Sequence, residues 1–75
     1  MRYETREIKI SKHAAKQIKV REITEYEVKS IVRAGAVHPD ADCDFIAYGS
    51  IRGQHIEVAC LDLGSHLLIK TAYVR

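Results

Sequence analysis

SKHAAKQIKVREITEYEVKSIVRAG, residues 11–35, carries the clearest local structural signals in the chain. Inside it, Thr24-Glu25-Tyr26-Glu27 is a capping box, in which the Thr24 hydroxyl and the Glu27 carboxylate each satisfy a free amide at the other's position. Ile23 and Val28 flank the box as a hydrophobic staple. Val28, Ile31 and Val32 then recur at helical spacing as far as Gly35, a residue suited to the left-handed turn that closes a helix. Upstream, Ser11 offers a hydroxyl to the free amides of an earlier helix, and KHAAKQIKV holds good helix formers and neither Gly nor Pro. The stretch predicts one helix from about Lys12 to Arg21 and a second, beginning at the capping box, that ends at Gly35.

Working outward, REIKI, residues 6–10, alternates with Ile8 and Ile10 on one side and predicts a short strand. VHPDADCD, residues 37–44, reads as a polar connection containing the sole proline. FIAYGS (45–50), QHIEVACLD (54–62) and LLIKTAYV (67–74) are rich in β-branched and aromatic residues, and the intervening IRG and LGSH supply glycine for tight turns. Strict alternation along the last strand puts Thr71 and Tyr73 on the face of Leu67 and Ile69, and Lys70 with Leu68, Ala72 and Val74 on the other. The expected fold is α+β, in the order strand-helix-helix-strand-strand-strand. Both helices pack on one face of a small, mainly antiparallel twisted sheet, and the other face is partly open.

Seventy-five residues make one domain, spanning 1–75, with little room for a deep pocket. A composition of 47% hydrophobic and 29% charged residues fits a globular domain and excludes a disordered tail. The balance of 12 Lys and Arg against 10 Asp and Glu leaves a formal charge of +2, too small to argue for nucleic-acid binding by itself. The chain holds no apolar run of bilayer-spanning length, so no membrane contact and a cytoplasmic location are expected. In that reducing compartment Cys43 and Cys60 are expected as free thiols.

Helical geometry divides the first helix into faces. Ala14, Ala15 and Ile18 form the apolar side, and Lys12, Lys16 and Lys19 line up as a basic stripe. His13 falls with Gln17 and Val20, roughly 145° from the apolar centre. Most exposed polar residues are merely solvated, yet exposure is also what an acid or base reaching a substrate requires. The lysine stripe has the same two readings, a solvated face or a row of phosphate contacts. His38 with Cys43, and His55 with Cys60, repeat one spacing and suggest zinc ligands. Side chains alternate along a strand, however, so His55 and Cys60 point to opposite faces, and neither a metal nor another cofactor is expected.

SKHAAKQIKVREITEYEV, followed by paired strands and the final IKTAY, resembles the small bacterial family called domain of unknown function 4258, whose pattern pairs a His-Ala helix start with an Arg, an Ile and a closing Thr-x-Tyr. That family is similar in turn to the RelE and ParE toxins of toxin-antitoxin pairs. The resemblance implies a RelE/ParE-like fold and metal-independent RNA cleavage, in which side chains position the ribose hydroxyl, remove its proton and stabilise the phosphate. Residue by residue, the motif falls on His13, Arg21, Thr71 and Tyr73; beside such a site the stripe of Lys12, Lys16 and Lys19 is read as nucleic-acid contacts. RNA and an antitoxin protein are the implied partners of a monomer or homodimer. The alternative is a non-enzymatic module that binds an antitoxin or a gyrase-type target.

Overall fold

The computed structural model describes residues 7–34 and 36–74. Strand β1 (Glu7–Ile10) leads into helix α1 (Lys12–Val20) and helix α2 (Glu25–Ala34). Strands β2 (Val37–His38), β3 (Phe45–Ile51), β4 (Gln54–Asp62) and β5 (His66–Val74) follow. The sheet order is β1-β5-β4-β3-β2, with β1 parallel to β5 and every other neighbour antiparallel. Among the described residues the architecture is α+β: two helices and a five-stranded mixed sheet. No helix among the described residues is long and apolar enough to cross a membrane.

Local sequence accounts for both ends of α1 and for the start of α2. Ser11 caps α1, its hydroxyl accepting the Ala14 amide at 3.1 Å. The helix closes in a Schellman arrangement, with the Glu22 amide donating to Lys19 and the Ile23 amide to Ile18. Glu22 holds the left-handed conformation there, at φ 59°, a position glycine usually takes. The Thr24–Glu27 box forms as the sequence predicts: the Thr24 amide donates to Glu27 Oε1 at 2.9 Å and the Glu27 amide to Thr24 Oγ1 at 3.1 Å. The closing turn expected at Gly35, and Arg6 of the first strand, lie outside the described residues.

Both helices cover one face of the sheet. Ala14 and Ile18 of α1, and Val28, Ile31 and Val32 of α2, join Ala47, Ile56, Val58, Cys60, Leu67, Ile69 and Ala72 in one core. Burying a Val, Leu or Ile side chain of this kind stabilises a fold by about 1.5–3 kcal/mol. The β3–β4 turn places both Arg52 (φ 49°) and Gly53 (φ 80°) in the left-handed region, the signature of a type I′ hairpin.

The structure corrects two expectations. The segment 37–44 is not all connection, because Val37 and His38 pair with Ala47 and Ile46 and add an edge strand. Two residues are too few to show a period, and Pro39, lacking an amide hydrogen, follows at once. The second correction concerns β5. Cys60 pairs with Ile69 but Ala59 pairs with Thr71, so Lys70 is the extra residue of a β-bulge. Beyond it the alternation reverses. Ala72 and Val74 join Leu67 and Ile69 against the core, while Thr71 and Tyr73 pair with Ala59 and Glu57 on the opposite face.

Candidate functional site

The site begins where β1 stops. The pairing of β1 with β5 runs only from His66 to Ile69, so, among the described residues, positions 70–74 of β5 have no neighbouring strand on that side. The chain turns at Ser11 and α1 takes the vacant place. Ser11 ties the junction down, its amide donating to Ile69 O at 3.0 Å and its hydroxyl to Lys70 O at 3.0 Å. Two turns later Gln17 Oε1 accepts the Ala72 amide at 2.9 Å and the Thr71 hydroxyl at 3.3 Å. The Gln17 side chain thus substitutes for the missing strand by meeting an edge amide that would otherwise be unpaired.

Docking α1 this way opens a cleft of about 390 Å³ between the helix and β5. His13, Lys16, Gln17, Val20 and Arg21 line one side; Ala72 and Tyr73 line the other. The helical residues fall at i, i+3, i+4, i+7 and i+8, the spacing of a single helix face. His13, Lys16 and Arg21 are exposed, Val20 is 79% exposed, and Tyr73 is half-buried. One water-accessible cleft therefore carries an imidazole, an ammonium, a guanidinium, a carboxamide and a phenol. Chemically, that set can move a proton and hold an anion in the same place.

Of the residues the sequence singles out, His13, Lys16, Arg21 and Tyr73 come together in this cleft. Thr71 does not line it. It faces a smaller groove of about 280 Å³, formed with Lys70, Cys43 and the 40–42 loop, and reaches the cleft only through its bond to Gln17. Lys12 and Lys19 are exposed and lie outside the cleft. Gln17 is the cleft residue that sequence reasoning did not single out as a candidate. Its signal was a place on the face of His13.

The other chemically suggestive groups disperse. His38 and His55 flank Tyr48 on the open sheet face, at ring-centroid distances of 5.7 and 6.3 Å, and His55 meets Glu57 at 3.2 Å. Cys60 lies buried on the opposite face, where loss of solvation pushes its thiol up to about 12. Cys43, half-buried in the loop, is also raised, first by burial and then by its hydrogen bond and proximity to Asp40. Both thiols are free. A larger groove of about 530 Å³ lies between α2 and β3, lined by Tyr26, Ile31, Tyr48 and Ile51. Its carboxylate, Glu27, is already engaged by Thr24 and Arg52.

No curated protein and no solved structure matches the chain. The family model described as a domain of unknown function (DUF4258) matches residues 10–74, which takes in β1's last residue, both helices, the cleft and all of β5. The chain belongs to the DUF4258 family.

Proposed function

We propose that the chain is a toxin-like, metal-independent ribonuclease of the toxin-antitoxin kind, related to RelE and ParE. One observation carries the reading: His13, Lys16, Arg21 and Tyr73, drawn from opposite ends of the chain, line a single open cleft. The strand-helix-helix-meander order, with the first strand parallel to the last, supports the relationship to those toxins. In this reading His13 takes the proton of a ribose 2′-hydroxyl, whose oxygen attacks the adjacent phosphorus. The bond from phosphorus to the 5′-oxygen breaks, giving a cyclic phosphate and a 5′-hydroxyl that recovers a proton. Arg21 and Lys16 hold the phosphate oxygens, and Tyr73 assists from the last strand. Thr71 serves indirectly, through Gln17. Controlled expression tests the reading: wild type slows growth and fragments RNA, and His13→Ala does neither. Identical behaviour of the two would rule it out.

A second reading is supported by the apolar groove between α2 and β3 and by Tyr26, 80% exposed at its rim. In it the chain is a non-enzymatic module that docks an antitoxin or a gyrase-type target there. It requires Tyr26→Ala to abolish partner binding while His13→Ala leaves binding intact.

A further inference from the structure

We infer that the side-chain amide of Gln17 donates its N–H groups to a phosphate oxygen of the strand held in the α1/β5 cleft. The inference rests on the ribonuclease reading and adds to it a neutral donor beside His13 and Arg21. Its basis is the way β5 orients the amide. The Ala72 backbone nitrogen is a donor only, so the Gln17 atom that meets it at 2.9 Å is the oxygen, and the usual ambiguity between amide oxygen and nitrogen does not arise. The Thr71 hydroxyl donates to the same oxygen at 3.3 Å. Two donors from adjacent residues of one strand use both lone pairs of Oε1 and restrain the amide plane. The nitrogen lies in that same plane, beside the oxygen, and it makes no hydrogen bond among the described residues.

Gln17 also lines the cleft, four residues from both His13 and Arg21 and next to Lys16. Its two N–H groups are thus preorganised donors beside three basic side chains, and they complement the acceptor oxygens of a phosphodiester. Because the amide is held by the β5 backbone, it needs no rearrangement when ligand arrives. A lysine or arginine at the end of a flexible stem lacks that advantage.

The test uses isotopically labelled full-length protein and a short single-stranded oligonucleotide with 2′-O-methyl riboses, which can bind but cannot be cleaved through the 2′-oxygen. On titration, the side-chain amide signals of Gln17 shift together with those of His13 and Arg21. Gln17→Glu keeps an oxygen for Ala72 and Thr71, so the Ala72 amide stays protected from exchange. Having lost its donors, this variant binds the oligonucleotide about 10- to 100-fold more weakly. Shifts at His13 and Arg21 without any at Gln17, or undiminished binding by a Gln17→Glu protein that still protects Ala72, overturn the inference and leave the ribonuclease reading standing. Failure of wild type to bind overturns both. If Gln17→Glu does not fold, the wild-type amide signals alone decide.

Discussion

Glu22 occupies a backbone conformation that costs an L-residue about 1–2 kcal/mol, part of which glycine would recover despite its greater freedom when unfolded. The side chain is exposed, and the interactions that use this residue, the helix-closing bond to Lys19 and the Arg52 bond to its carbonyl, involve backbone atoms. Glu22→Gly is expected to stabilise the fold by about 0.5–1 kcal/mol, read as a higher midpoint in urea denaturation. The cysteines give a second residue-scale expectation. Cys60 is fully buried with its thiol raised to about 12, whereas Cys43 is half-buried in a loop. Under native conditions a thiol reagent at pH 8 titrates Cys43 alone, more slowly than free cysteine, and Cys60 reacts only after denaturation. Reaction of both thiols in the folded protein contradicts the placement of Cys60.

Among the elements, α2 is anchored by its own first turn and by the β3–β4 hairpin. Arg52, at the hairpin tip, donates from Nη1 to Glu27 Oε2 and from Nη2 to the Glu22 carbonyl at 2.8 Å, clipping the hairpin to the α1–α2 junction. The Thr24 amide, with Arg52 adding to it, holds the Glu27 carboxyl below its ordinary value of 4.5. A carboxyl depressed by folding binds its proton more readily in the unfolded chain, so its contribution is complete above the unfolded value and is lost as pH falls through the folded one. The Tm of wild type is therefore expected to fall more steeply below about pH 4.5 than that of Glu27→Gln. Parallel Tm profiles would remove Glu27 from the acid response. The capping box behind this effect was readable in the sequence because it is a local motif of four consecutive residues. Strand β2 was not, since two residues carry no period. The bulge at Lys70 escaped for a different reason: it is an irregularity of pairing between β4 and β5, and no side chain in LLIKTAYV announces it.

At the scale of the molecule, what matters is the mismatch between a four-residue β1 and a nine-residue β5. The free length of β5 is where α1 docks, and that docking brings His13, Lys16 and Arg21 up to Tyr73. Helical periodicity was enough to set His13 and Gln17 on a common face away from the core. It could not show that this face meets β5, because the meeting depends on where β1 ends and on a hydrogen bond across 55 residues. The same limit explains why Lys12 and Lys19 looked equivalent to Lys16, although only Lys16 borders the cleft.

In the proposed function, the α1/β5 cleft cleaves RNA with its own side chains. Cleavage of a single-stranded RNA by purified protein in a chelating buffer tests it most directly, with product ends identified by mass spectrometry. Cyclic-phosphate ends are expected from wild type, and a rate lower by about 10²–10⁴-fold from His13→Ala. Equal rates for the two proteins, or no cleavage by either, would contradict it.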